Sequence, residues 1–339
     1  MKYAIYGAGS LGLVFSAFLK KANEDFDIID RNIKSVNAIN TNGVKVIGNC
    51  NMTQNVKCIL DSEVKDKYDI IFLFTKAIDN INTIKKVSTF LNDNGVICTM
   101  QNGLPESDVK AVLGETRTYG CAVGWGATRI DYGVSELTSA NEKSHLTFSF
   151  GTLNSSKNEY YHEIKRILSI MGTVEEDSNF IGARYAKLLI NASFSGMSTV
   201  CGDTFGNVSK NKKSRRVIQR VIKECIDLAK CANIKIEKIQ GKDVSKLIDY
   251  KTSFKKFISF MIIPIAIKKH KDLKASMLQD VEKSIPCEID TINGAVCQIG
   301  KENNFLTPFN DMIVKIIKDI EAKKLTPSYD NVKLFDKLF

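Results

Sequence analysis

Gly7, Gly9 and Gly12 fall in the spacing G-x-G-x-x-G, directly after a β-prone run at residues 2–6 and before an apolar helical stripe of Leu11, Val14, Phe15, Phe18 and Leu19. Each glycine has a task that a side chain would obstruct. Gly7 permits a tight turn out of the strand. Gly9 lets the backbone approach a pyrophosphate. Gly12 lets the helix lie close to the strand. The helix then aims its free N–H groups and positive dipole end at the phosphates. The pattern predicts a dinucleotide site made by Gly7, Ala8, Gly9, Ser10, Leu11 and Gly12. At the end of the next predicted strand, residues 25–30, stand Asp30 and Arg31. An acid here binds the ribose 2′-hydroxyl of NAD, whereas an arginine can hold the 2′-phosphate of NADP with two bonds. The residues alone leave both cofactors open.

Other polar residues stand where burial would normally exclude them. Lys76 directly follows the apolar run 70–75, and Asn102, before Gly103, closes the run 95–101. Both would lie at strand carboxyl ends, where open α/β sheets bind ligands. Each could also be an ordinary turn residue. Lys187 sits in ARYAKLLINAS, with Asn191 one helical turn along the same face. Aligned on an apolar helix, the two suit a cleft, although a lysine can also snorkel past apolar neighbours.

The elements that must position these residues follow from periodicity. Strand and helix alternate through the first half: strands at 68–75, 95–101 and 118–123, helices at 78–91 and 106–113. Such alternation predicts a doubly wound parallel sheet. Residues 134–138 and 146–151 read as strands added at its far edge, followed by a helix at 160–171 and a strand at 173–176. After residue 178 the strand signal stops. Residues 183–197, 214–232, 244–269, 287–299 and 311–324 read as helices. The expectation is an α/β chain: a Rossmann dinucleotide-binding domain over 1–178, then an all-α domain over 179–339 for substrate and dimerisation. A short link implies packing of the two around a cleft.

Composition narrows the rest. A chain of 339 residues suits two domains, and 44% hydrophobic with 25% charged residues suits a globular protein. The first strand starts at residue 2, which leaves no room for a leader, so a cytoplasmic protein is expected. The apolar run 257–267 is too short to span a bilayer and reads as a buried or interfacial helix segment; no membrane partner is expected. Nine scattered cysteines without a C-x-x-C pair read as reduced thiols. His145, His162 and His270 share no ligand spacing, so no metal is expected. The net charge is +10, but the basic runs 210–216 and 268–274 are short and lack interleaved exposed aromatics, so no nucleic-acid partner is expected.

The motifs in order resemble those of the ketopantoate reductase (2-dehydropantoate 2-reductase) family, in the 6-phosphogluconate dehydrogenase-like superfamily. They are the 7–12 glycine block, Thr75-Lys76-Ala77, Gln101-Asn102-Gly103, Lys187 with Asn191, S-M-L-Q-D from Ser276 to Asp280, E-I-D-T-I-N-G from Glu288 to Gly294, and Pro308 with Asn310. The resemblance implies NADPH-dependent reduction of ketopantoate, a 2-oxo acid, to pantoate for pantothenate and coenzyme A synthesis. Lys187 would be the general acid, and Glu288 would hold it and bind a substrate hydroxyl. Ser276 would bind the carboxylate and Asn191 the substrate oxygens. Asn102 and Lys76 would position the nicotinamide ribose and reacting face. The resemblance favours NADPH through Arg31, while Asp30 keeps NADH open. A homodimer is compatible with it. Two positions depart: the family carries asparagine where Ser195 stands, which would still line the substrate, and an asparagine further on is replaced by Phe205. These departures keep open a reductase of another 2-oxo or 3-hydroxy acid. A non-catalytic NADP(H)-binding regulator would retain the fold without Lys187 and Glu288 as a pair.

Overall fold

The structure, a computed structural model, describes residues 1–238 and 243–339. It divides into two compact units, Met1–Phe180 and Ile181–Phe339.

In the first unit, strands alternate with helices. The strands are β1 (Tyr3–Tyr6), β2 (Asp27–Asp30), β3 (Val44–Gly48), β4 (Met52–Gln54), β5 (Cys58–Leu60), β6 (Tyr68–Leu73), β7 (Leu91–Thr99), β8 (Thr118–Val123), β9 (Ala127–Asp131), β10 (Val134–Leu137), β11 (Thr147–Thr152) and β12 (Thr173–Glu176). The helices are α1 (Ser10–Lys21), α2 (Ile33–Asn42), α3 (Asn80–Ser88), α4 (Glu106–Leu113) and α5 (Glu159–Met171). Eight strands form the main sheet in the order β12-β11-β8-β7-β6-β1-β2-β5. Every neighbouring pair is parallel except β11 with β8. Successive residues of a strand feed opposite faces. Ile5, Ile28, Ile70 and Phe72 join Leu13 and Phe15 of α1 in one core. Tyr6, Ile29, Ile71 and Leu73 join Ile84 of α3 and Val109 of α4 in the other. Cover on both faces is why the central strands read as unbroken apolar runs.

The expected strand at 134–138 does not extend this sheet. β10 lies in a second, four-stranded sheet ordered β4-β3-β10-β9. Its buried and half-buried residues alternate, as suits a sheet covered on one face. That face covers α1, and Ser135 donates its hydroxyl to Ser10 O at 3.0 Å, at the start of that helix.

The second unit is helical: α6 (Phe180–Ile190, beginning at the division), α7 (Gly196–Cys201), α8 (Phe205–Lys210), α9 (Lys212–Cys231), α10 (Val244–Ile248), α11 (Ser253–Ala266), α12 (Ser276–Glu282), α13 (Ile289–Glu302) and α14 (Pro308–Glu321). Two sequence expectations are corrected. The helix at 183–197 is not regular: a π-helical turn, Asn191–Ser195, separates α6 from α7. The helix at 244–269 breaks between α10 and α11, where Thr252 caps the new helix by accepting from Lys255 N–H. The segment 257–267 is also not buried as a whole, since α11 turns much of its apolar surface outward. Among the described residues, no helix is long and apolar enough to cross a membrane.

Candidate active site

The glycine loop has the shape its spacing requires. Gly7 has φ +111°, and a Cβ there would lie 3.0 Å from Thr75 N. A Cβ on Gly12 would lie 2.1 Å from Gly7 O, so helix and turn touch through backbone alone. Gly9 is different: a Cβ there would meet nothing within 4 Å. Among the described residues nothing fills the space that Gly9 leaves, and Gly9, at the N-cap of α1, supplies no side chain to the helix's first N–H groups. The first-turn N–H groups of a helix need acceptors. Open space before an uncapped helix terminus fits a dinucleotide's phosphates.

β2 braces this loop. Gly7 N–H donates to Ile29 O at 2.8 Å. The Asp30 carboxylate accepts from Ala8 N–H at 2.6 Å and from Asn32 N–H at 2.7 Å. Asp30 is half-buried, whereas Arg31 is exposed. Asp30 thus has a second task that its type alone did not reveal.

A buried amide network lies behind the ends of β6 and β7. Thr99 donates its hydroxyl to Gln101 Oε1 at 2.9 Å. Gln101 Nε2 donates to Asn80 Oδ1 at 2.9 Å and more weakly to Thr75 Oγ1 at 3.4 Å. Asn80 Nδ2 donates to Asp108 Oδ2 at 2.8 Å. The network links the two strand ends to the first turns of α3 and α4. From this base Lys76 projects exposed, and Asn102 is half-buried beside Gly103, whose φ is +82°. Gln101 stood in the sequence only as part of the Gln101-Asn102-Gly103 motif, with no role of its own, and Asn80 was not singled out. Their signal was an amide directly after an apolar strand and another opening the next helix.

In the helical unit, Lys187 and Asn191 are half-buried on either side of the step from α6 into the π turn. Tyr185 anchors α6 to α9 by donating its hydroxyl to Cys225 O at 2.9 Å. Burial holds its pKa well above the ordinary phenol value, so it remains a donor. Gly196 N–H reaches back to Asn191 O, five residues away. The residue one turn on from Asn191 is therefore Gly196, and Ser195, which is buried, is not aligned above Asn191 as a regular helix would have it. A Cβ on Gly196 would lie 3.2 Å from Asn293 Oδ1 and 3.1 Å from Ile313 Cγ2, so a side chain there would press on both neighbours.

The π turn has its own support. Asn293 Nδ2, fully buried on α13, donates to Ala192 O at 3.0 Å and to Asn310 Oδ1 at 2.9 Å. Asn310 Nδ2 donates to Glu224 Oε1 at 2.7 Å. The Glu224 carboxylate also accepts from Phe309 N–H and Asn310 N–H, both at 3.0 Å, at the start of α14. Burial raises the Glu224 pKa, and these donors oppose that rise. Glu224 was not singled out in the sequence; its signal was an acid at a core position of α9, in step with Val217, Val221 and Leu228.

The helices that carry Ser276 and Glu288 adjoin the same turn. α12 and α13 both pack on the π segment. Ser276 is exposed at the first position of α12, and Ala275 N–H donates to Ser198 Oγ at 3.3 Å. Glu288 is buried where α13 begins. Phe205 is buried and packs on Phe194, ring centroids 5.9 Å apart. Thus Lys187, Asn191, Ser195, Ser276 and Glu288 belong to one unit, and the glycine loop, Asp30, Arg31, Lys76 and Asn102 to the other. Among the described residues, no group of three His, Cys, Asp or Glu side chains is placed to hold a metal ion.

Two family models match in succession. Residues 3–149 match Ketopantoate reductase PanE/ApbA, and residues 179–321 match Ketopantoate reductase PanE/ApbA C terminal. The chain belongs to the ketopantoate reductase family. A relative named 2-dehydropantoate 2-reductase from Lactococcus lactis is 25% identical over 327 residues, covering 95% of this chain and 98% of the relative. A solved D-mandelate dehydrogenase with NADH and anilino(oxo)acetate superposes with a TM-score of 0.81 at 21% identity, covering 95% of this chain and 99% of that one. A ketopantoate reductase from Ralstonia eutropha JMP134 superposes with a TM-score of 0.80 at 19% identity, covering 96% and 99%. The N-terminal parallel sheet and helical C-terminal region are the fold of this oxidoreductase family.

Proposed function

We propose that this family member reduces ketopantoate to pantoate with NADPH. The observation that carries the reading is the pair Lys187 and Asn191, half-buried at a braced π turn, in a chain whose other unit offers an open glycine loop. The glycine loop and the α1 terminus would hold the pyrophosphate, with Lys76 and Asn102 toward the nicotinamide end. The dinucleotide would supply the hydride taken up by the carbonyl carbon. Lys187 gives its proton to the carbonyl oxygen, which leaves an alcohol and a neutral amine. Glu288 orients Lys187 and accepts from the substrate hydroxyl. Ser276 donates to the carboxylate, and Asn191 and Ser195 contact substrate oxygens. Support for NADPH over NADH comes from the second strand's end. Two backbone N–H groups already engage the Asp30 carboxylate, which weakens its repulsion of a phosphate, and Arg31 is exposed beside it. A cytoplasmic setting is part of the same proposal.

One observation favours a second reading. Phe205 puts a buried aromatic ring where the family has an amide, so a less hydroxylated 2-oxo acid would suit the unit better. Turnover of ketopantoate and of 2-oxoisovalerate with NADPH and with NADH separates the readings. The expected result is ketopantoate turnover that falls on the order of a hundredfold in Lys187→Ala, with dinucleotide affinity unchanged. Turnover of 2-oxoisovalerate alone selects the second reading. Dinucleotide binding without turnover of either acid selects the non-catalytic regulator.

A further inference from the structure

α11 carries its large apolar residues on the outside. Phe254, Phe257, Ile258, Met261 and Ile265 are 72%, 63%, 38%, 49% and 70% exposed. Their spacing of three, four, seven and eleven residues from the first puts them on a single helical stripe. The opposite face fastens the helix to its unit. Ser259 and Ile263 are buried there, and Gln219 of α9 donates its amide to Lys256 O at 2.6 Å and to Ser259 Oγ. The Arg215 guanidinium stacks on the Phe260 ring at 4.7 Å. The stripe is therefore what a well-anchored helix offers to something outside the chain, and contiguous patches of this kind mark interaction sites.

Charge decides between occupants. From Tyr250 to Lys271 the chain carries Lys251, Lys255, Lys256, Lys268, Lys269 and Lys271 and no aspartate or glutamate. All of these lysines except Lys256 are exposed, and they bracket the stripe at both ends. A second copy docked antiparallel on the stripe would set Lys251 and Lys255 against the other copy's Lys268 and Lys269. Docked parallel, each lysine would face its own counterpart. Both arrangements place like charges together. An anionic lipid surface satisfies stripe and lysines at once: headgroup phosphates meet the ammonium groups, and the apolar side chains enter the headgroup–acyl boundary. A helix too short to cross a bilayer can still lie in its surface, and the length of the apolar run bears only on crossing. We propose that α11 is a peripheral membrane-binding helix that docks this protein on anionic bilayers. The proposal does not depend on the reaction assigned above.

The full chain should sediment with phosphatidylcholine vesicles that contain phosphatidylglycerol, and not with phosphatidylcholine alone. Binding should weaken as salt rises. Phe257→Asp and the pair Lys268→Glu with Lys269→Glu should each weaken vesicle binding by about tenfold or more. Both change exposed residues outside the candidate active site, so circular dichroism and turnover should match the parent. Failure of the parent to bind the anionic vesicles overturns the proposal. So does binding that Phe257→Asp leaves intact, because the net charge alone would then be responsible. So does a parent that sediments as a dimer and becomes a monomer in Phe257→Asp, because a second copy would then cover the stripe.

Discussion

Asn293→Ala tests whether the amide network holds the π turn. In the parent, Asn293 Nδ2 supplies both Ala192 O and Asn310 Oδ1. Truncation leaves two buried acceptors without that donor, at about 1–3 kcal/mol each. The same truncation removes Asn293 Oδ1, a buried acceptor with no partner among the described residues, and recovers a similar amount for one group. Loss of packing in a fully buried site adds to the cost. The net expectation is a loss of about 2–4 kcal/mol from the helical unit. Urea unfolding followed by far-ultraviolet circular dichroism reads the helices. Trp125, the sole tryptophan, lies in the 1–180 unit and gives a separate signal for it. Asn310→Ala should destabilise by a similar amount, and the double variant by less than the sum, since the two amides share a bond. A helical transition within about 0.5 kcal/mol of the parent would refute the reasoning. Additive effects of the two substitutions would also count against a shared network.

Gly9→Val should fold with parental stability and lose dinucleotide binding, because its side chain enters space that the protein leaves open; calorimetric titration that finds tight binding would contradict this. Gly12→Ala should instead destabilise the first unit, because its Cβ would collide with Gly7 O, and the Trp125 transition would report it. Arg31→Ala should weaken NADPH by about ten- to a hundredfold, the loss of a charge-assisted bond worth roughly 1.5–3 kcal/mol, and leave NADH little changed. An unchanged NADPH to NADH ratio would assign the preference to Asp30. Glu224 has a folded pKa raised above its unfolded value, chiefly by burial, so the unfolded chain loses this proton first as pH rises. Its contribution to stability should therefore fall as pH rises from about 4.5 through the folded value and be flat above that. The difference between parent and Glu224→Gln in urea stability, followed from about pH 4 to about pH 8, should carry that slope; a difference that grows in the parent's favour with pH would have the wrong sign.

What was legible followed from burial. β6 is covered on both faces and reads as a continuous apolar run, so its place in a parallel sheet was clear, and β8 was legible as a strand from its alternation with helices. Gly7 and Gly12 were legible because their conformation and contacts leave room for no other residue. β3, β4, β5 and β9 were not. They have three to five residues each, and several of these are exposed and polar, so neither periodicity nor propensity raises them above a loop. β10 was legible as a strand but not in its sheet, because alternation states how many faces are covered and not by what. The π turn escaped for the opposite reason. Residues 192–201 are all buried, so no polar stripe exists whose phase could reveal an extra residue. α11 shows the same limit at the surface: its apolar run gave the helix but not the direction in which the run points.

The π turn at Asn191–Ser195 amounts to one surplus residue in the winding of an otherwise continuous rod. Removing any one of those five residues would let the rod wind regularly, and would rotate everything beyond it by about 100° relative to Lys187. Gly196 would swing away from Asn293 and Ile313, and a bulkier neighbour would take its place. The surplus residue thus acts as an angular setting. Upstream, the helix is phased to present Lys187; downstream, it is phased to pack. A regular helix could not choose those two orientations independently.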